Sequence, residues 1–214
     1  GGDADPLAHL GEREQFLQYL LNVASSTPDL DLAPLFLDAR FRDHVTAPVL
    51  DLVTRLARKA VTVAGQPDAG IWEVRSAWRP QTFSTLMCWA AAERMSRIAA
   101  LHLPAAAEEF SSDAQRIRAE ILAHAVDPSG RYLVADHGGT EVDAALLQAV
   151  TLRLLTPGDP RTVATIDAVV RDLEQDGWLR RYRTDDGLGV PSVAFTLCTF
   201  WLVDALAHVG RYDR

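Results

Sequence analysis

Much is missing from this 214-residue chain. No CxxC, HExxH or CxxC…HxxxH spacing occurs, so neither a structural nor a catalytic zinc site has support, and nothing calls for a cofactor. The six histidines are scattered. There are only two cysteines, Cys88 and Cys198, each inside an apolar segment of helical character. They read as buried thiols of a reduced, cytoplasmic compartment. No basic run exists and the net charge is −8. That excludes a phosphate-backbone partner and an anionic membrane surface, so no nucleic acid is expected. The most apolar run, Val193 to Val209, is 17 residues long and carries Asp204 and His208. It is too short and too polar to cross a membrane and reads as a core helix. The opening GGDADPLAHL lacks the basic and apolar regions of a signal peptide, and a first residue of Gly points to a trimmed, processed or partial chain.

What is present is helix. Apolar residues make up 48% and charged residues 23%, the balance of one globular domain spanning 1–214. Helical stripes run through Phe16, Leu17, Leu20, Leu21 and Ala24, then Val49, Leu52, Val53, Leu56, Ala60 and Val63. Phe83 to Ala100 is apolar on several faces and should be surrounded by protein. Ile117, Ile121, Leu122 and Ala125 form a further stripe, with Ser112 and Gln115 as its expected capping box. Val142 to Val150, Ile166 to Leu173 after Pro160, and a last helix closed by Gly210 complete the series. The expectation is an all-α chain of about seven helices in two layers. Loops after Asp127 and Asp176, rich in Gly, Asp and aromatic residues, are placed to build a site.

Short motifs then fall in a fixed order. Pro67-Asp-Ala-Gly-Ile-Trp-Glu-Val-Arg75 comes first, followed by Phe83 to Trp89 and Glu93-Arg94. Asp143-Ala144, Asp159-Pro160-Arg161, Thr165-Ile166 and Arg181-Tyr182 come next. Asp186-Gly187-Leu188, Phe195-Thr-Leu-Cys-Thr-Phe-Trp201 and Gly210-Arg211 end the series. Together they resemble the glucoamylase- and trehalase-type enzymes of glycoside hydrolase family 15, over roughly residues 71 to 211. The resemblance implies a partial (α/α)6 toroid with its site at one end of the inner helices. It also implies inverting hydrolysis of α-glucosidic bonds from the non-reducing end.

Such a reaction needs two carboxyl groups on opposite sides of the sugar, one to protonate the leaving oxygen and one to activate water. The resemblance puts the acid at Glu73. Trp72 beside it supplies an apolar wall of the kind that favours a protonated acid, and a face for the sugar. The basic Glu of the family belongs at the start of the last inner helix, where this chain has Ser192, a residue that would otherwise serve as a helix N-cap. Asp185 and Asp186 are nearby carboxylates, in a sequence that also makes a strong turn. Arg181 matches an arginine that grips the terminal glucose, or belongs to a surface cluster with Arg180 and Arg183. Asp143 fits both a family motif and a helix cap, and Thr85 replaces a usual Lys at the mouth of the site.

The family's sugar-gripping Arg-Asp pair and its Gly-Asn segment have no counterpart, and seven helices leave a ring of twelve open. An open edge calls for a second copy of the chain, a missing segment or local repacking to cover it. Three functions remain: an α-glucosidase-like hydrolase, an inactive sugar-binding or assembly module, and a pocket reused for non-hydrolytic acid catalysis.

Overall fold

The computed structural model describes residues 33–75, 78–187 and 189–212. The expected stripe from Phe16 to Ala24, and Leu188 of the Asp-Gly-Leu motif, lie outside them. Seven α-helices occur among the described residues, numbered here in chain order: α1 (Ala33–Leu37), α2 (Ala47–Val63), α3 (Thr82–His102), α4 (Pro104–His124), α5 (Gln148–Thr151), α6 (Pro160–Leu173) and α7 (Thr196–His208). Two 3-10 turns, Ala39–His44 and Ala144–Leu147, and four two-residue strands complete the list. The all-α expectation holds.

The centre is the α3–α4 hairpin. Only Leu103 separates the two helices, and Pro104 starts the second one at a position where its missing N–H is no loss. Helix α3 is buried on nearly every side, through Phe83, Leu86, Cys88, Trp89, Met95 and Ile98 among others, as its pattern predicted. Helix α4 buries one stripe, Phe110, Ala114, Ile117 and Ile121. Because α4 runs unbroken from Pro104, Ser112 lies in its middle and the expected capping box with Gln115 does not form; the Ser112 hydroxyl turns to Glu108. Helix α2 packs on α3 by its small residues Ala57 and Ala60, leaving Val49 and Leu52 exposed.

Val142 to Val150 also departs from the expected helix. It is a 3-10 turn followed by one short α-turn, almost wholly buried. The last helix starts later than its apolar run suggests. Helix α7 begins at Thr196 with Phe195 in the cap position, so the exposed Ser192 is not an N-cap. Pro191 holds the residue before it extended, which keeps helix from growing back through Val190. Gly210 ends α7 at φ 74°, the left-handed value that favours glycine.

Two small pairings place the loops. Strands β1 (Pro67–Asp68) and β2 (Arg79–Pro80) pair antiparallel and pinch off the segment that carries Ile71 to Arg75. Strands β3 (Glu174–Gln175) and β4 (Trp178–Leu179) form a tight hairpin through Asp176 and Gly177, both at positive φ. The second hairpin turns the chain directly into Arg181 and Tyr182.

Phe110 has no exposure and fills the junction of α1, α2, α3 and α4. Phe110→Ala is expected to lower the unfolding free energy by about 3–5 kcal/mol, read by urea denaturation. A loss below about 1 kcal/mol would mean that this junction is not packed as described.

Candidate active site

The loop between β1 and β2 is built from its first carboxylate outward. The Asp68 Oδ1 accepts from the Gly70 N–H at 2.7 Å and from the Ser84 hydroxyl at 2.7 Å, so the loop is tied to the first turn of α3. Gly70 sits at φ 67°, and a Cβ there would meet the Gln81 side chain at 3.0 Å. The Glu73 N–H reaches the Gly70 carbonyl at 3.3 Å and the Val74 N–H reaches that of Ala69 at 2.9 Å. This tight turn forces Glu73 to φ 53°, a left-handed conformation that non-glycine residues adopt only when their surroundings require it. The result is a division of labour between neighbours: Trp72 is half-buried and Glu73 is exposed.

Trp72 points into an aromatic nest. Its centroid lies 5.8 Å from Tyr182, 6.1 Å from Trp201 and 6.4 Å from Phe195. Its Nε1 donates to the Asp143 Oδ2 at 2.8 Å. Asp143 is 5% exposed and also accepts the Leu146 N–H through Oδ1 at 3.2 Å, capping the 3-10 turn. Burial pushes its carboxyl up to about 6, against the Trp72 indole and the Leu146 and Ala145 N–H groups, which favour the charged form; Asp136 adds a weaker upward push.

Arg181 belongs to the same cluster. Its guanidinium carbon is 5.4 Å from the Tyr182 centroid, 5.9 Å from that of Trp72 and 6.0 Å from that of Phe195. Its carbonyl accepts the Ala144 N–H at 2.8 Å. The surface-cluster alternative does not describe it, because Arg180 binds Gln175 and Arg183 binds the Asp172 carbonyl instead.

Asp186 approaches from a third direction. Its Oδ2 accepts the Tyr182 hydroxyl at 2.5 Å, and its carbonyl accepts the Arg75 N–H at 3.1 Å, stitching this loop to the one that carries Glu73. Burial first, and then the Asp186 hydrogen bond, push the Tyr182 hydroxyl up to about 12. Asp185 is occupied by the turn itself, accepting the Gly187 and Gly189 N–H groups at 2.8 and 2.9 Å.

Three segments far apart in sequence, at 72–73, 143 and 181–186, thus bring together Trp72, Asp143, Arg181, Tyr182 and Asp186, with the exposed Glu73 beside Trp72. Ser192 lies on the exposed irregular stretch before Phe195, whose N–H bonds the Leu179 carbonyl at 2.9 Å. Thr85, expected at the mouth, is buried in the first turn of α3 with its hydroxyl on the Gln81 carbonyl at 3.0 Å. Trp89 and Trp201 are core residues, whereas Trp178 is exposed. Asp143 is the residue that sequence reasoning undervalued. Its signal was a single carboxylate flanked by Val142 and Ala144-Ala-Leu-Leu, with no basic neighbour to explain it.

Both cysteines are buried and unbridged, and burial pushes both thiols up to about 12, which leaves them unreactive. Among the described residues no group of three His, Cys, Asp or Glu is placed to hold a metal ion, and no helix is long and apolar enough to cross a membrane.

Comparison with known proteins agrees with this architecture. The sequence profile of "Glycosyl hydrolases family 15" matches residues 40–212. The trehalase of Mycolicibacterium smegmatis is 37% identical over 187 residues, covering 86% of this chain and 28% of that protein. The trehalase of Mycobacterium tuberculosis is also 37% identical over 187 residues, with 86% and 27% covered. The chain therefore spans just over a quarter of the length of these curated relatives. Among solved structures, a glycosidase variant in complex with glucose superposes with a TM-score of 0.69 at 22% identity, over 99% of this chain and 53% of the other. A bacterial glucoamylase complexed with acarbose superposes at 0.54 and 15% identity, over 81% and 33%. These likenesses show the fold, a partial (α/α)6 toroid.

The raised Asp143 carboxyl has a consequence for stability. A carboxyl whose folded value, about 6, exceeds its ordinary 3.8 stabilises the fold most fully below pH 3.8. That contribution is lost as the pH rises through 6, and amounts to about 3 kcal/mol. His137 acts in the opposite sense: burial holds it below the usual 6.5, so its contribution is lost as the pH falls. The difference between wild type and Asp143→Asn, both carrying His137, isolates the effect. Chemical denaturation from pH 4 to 7 should show wild type losing stability relative to the variant. Parallel curves would mean that Asp143 does not change its charge in this range.

Proposed function

This chain belongs to glycosyl hydrolase family 15, and from that premise we propose that it presents an α-glucoside site beside Trp72, with Glu73 as proton donor and no carboxylate base. Ser192 stands where the family's base would be. The observation that carries the reading is the turn at Gly70–Val74. It buries the Trp72 edge against Asp143 and, in the same turn, turns Glu73 outward at φ 53°. A strained non-glycine residue next to an anchored aromatic is the arrangement expected of a residue held out for chemistry.

The sugar would lie against the exposed part of Trp72, with the Arg181 fork toward its hydroxyls and Asp186 as an acceptor at the margin. Glu73 would give its proton to the glycosidic oxygen as the bond to the anomeric carbon breaks. Attack by water on the opposite face then needs a base. A serine hydroxyl is neutral at pH 7 and accepts a proton poorly, while Asp185 and Asp186 are already engaged by the Gly187 and Gly189 N–H groups and by the Tyr182 hydroxyl. Loss of base assistance reduces the rate by roughly 10²–10⁴-fold. The proposed protein therefore binds α-glucosides and hydrolyses them slowly. Trehalose is the first sugar to try, given the relatives' names, and maltose the second.

A second reading, an assembly module, is favoured by one observation. Phe200 and Val203 on α7 are 65% and 58% exposed, and Val190, Val193 and Phe195 lie exposed just before them. This is the open edge of the ring, against which the remaining helices of a family 15 toroid would pack. A second copy of the chain would cover the same face.

Glucose release from trehalose and maltose, together with calorimetric binding, tests the first reading. Wild type should bind and release glucose slowly. Glu73→Gln should abolish release while keeping binding within a few-fold, and Ser192→Glu should leave release slow, because position 192 is exposed and lies outside the last helix. Release that survives Glu73→Gln, or no binding of any α-glucoside, would overturn it. For the second reading, sedimentation velocity should show wild type associating with rising concentration and Phe200→Glu/Val203→Glu staying monomeric. A monomeric wild type would rule out self-association through this edge.

A further inference from the structure

We propose that Asp143 is a positioning residue of the candidate site, whose two carboxylate oxygens hold two different things: Oδ1 the turn that leads to α5, and Oδ2 the Trp72 indole. The proposal rests on the reading of Trp72 and Glu73 as sugar-facing and deepens it, since it names what fixes them.

The geometry separates the two tasks. The cap needs one acceptor, and Oδ1 supplies it to the Leu146 N–H at 3.2 Å. Oδ2 is free for another donor and takes the Trp72 Nε1 at 2.8 Å, from a residue 71 positions away in sequence. A serine or asparagine would cap the turn equally well without burying a charge. A carboxylate retained at 5% exposure therefore calls for a use of its second oxygen. That use is directional. The other contacts of the indole, with the Tyr182, Trp201 and Phe195 rings at 5.8–6.4 Å and with the Arg181 guanidinium at 5.9 Å, are far less directional than a hydrogen bond. The hydrogen bond sets its orientation. Trp72 and Glu73 share a peptide unit, so fixing the indole fixes the backbone from which Glu73 is displayed.

The same residue reaches Arg181. The N–H of the next residue, Ala144, bonds the Arg181 carbonyl at 2.8 Å, and the Arg181 guanidinium lies 5.9 Å from the Trp72 centroid. One turn of chain thus sets both the aromatic wall and the cation beside it.

Asp143→Asn separates the two tasks. Its single oxygen can satisfy the cap, and its NH2 then faces the indole N–H, donor against donor. The variant is expected to fold and melt cooperatively. The Trp72 indole N–H resonance, assigned by its absence in Trp72→Phe, should move upfield as its acceptor is lost. Trehalose affinity should fall roughly 10- to 100-fold, the range for losing a hydrogen bond to a charged group. In a Trp72→Phe background, which has no donor to oppose, the same Asp143→Asn change should leave affinity unaltered; a residue acting only on the fold would weaken binding equally in both backgrounds. An indole resonance that does not move in Asp143→Asn, or equal losses in the two backgrounds, would overturn the proposal. Should wild type bind no α-glucoside, the sugar reading falls, and the indole resonance alone still decides whether Asp143 fixes Trp72.

Discussion

A carboxylate taken out of water must find donors, and the donors that Asp143 finds determine how this end of the molecule is arranged. Its carboxyl receives the Trp72 indole from one loop and the Leu146 N–H from its own turn, while the Ala144 N–H donates to the Arg181 carbonyl of a third. Three segments without regular secondary structure meet at one buried residue. Burial of an ionisable group here is a constraint as much as a contact: removing any one donor leaves charge or acceptor capacity unsatisfied in a dry place.

The helices supply what that junction cannot supply for itself, a fixed frame. The α3–α4 hairpin is closed by a single residue, and the N-terminal turn of α3 is used three times over. Thr82 bonds the Val134 and Ala135 carbonyls, Ser84 bonds Asp68, and Thr85 bonds the Gln81 carbonyl. The Ser84–Asp68 bond is the link that matters for the site, since Asp68 organises the Gly70 turn and that turn displays Glu73. A chain of directional bonds therefore runs from a buried helix to an exposed carboxylate. The second loop is tied in by the Arg75 N–H on the Asp186 carbonyl and by the Tyr182 hydroxyl on the Asp186 carboxylate.

Much of this was legible in the sequence, and what was not has identifiable causes. The all-sided apolarity of Phe83–Ala100 correctly announced a surrounded helix, and Pro160 correctly announced the start of α6, which Asp159 caps by accepting the Arg161 N–H. The Ser112 cap failed because α4 is continuous through it, and no periodicity rule separates a serine inside a helix from one at its start. Val142 to Val150 read as helix because an all-buried segment satisfies every period. Trp72 and Arg181 were legible only through motif resemblance, and the structure joins them in one aromatic cluster. Asp143 was visible as the partner of a cap at Thr140, whereas Asp143 itself caps the turn, and its second role depends on a contact 71 residues distant, which no local pattern encodes.

The start of α7 bears on the chemistry more than any other departure. A general base works only if its carboxylate is held to a fraction of an ångström, and the first turn of a helix is a good place to hold it. In this chain the helix begins at Thr196, so position 192 lies four residues outside it, exposed, between Pro191 and the β-branched Val193. On the proposed reading, the serine in place of a carboxylate and the absence of a helical turn around it go together. A serine on an irregular, exposed segment carries no requirement for precise placement, and the segment presents Val190, Val193 and Phe195 to solvent, as Phe200 is also exposed. The acid side retains the opposite character: a strained φ, an anchored neighbour and a buried carboxylate behind it. Under the proposed function, placement is maintained where a proton would be given and relaxed where one would be taken, and that asymmetry is the reason the proposal expects binding with slow bond cleavage rather than efficient hydrolysis.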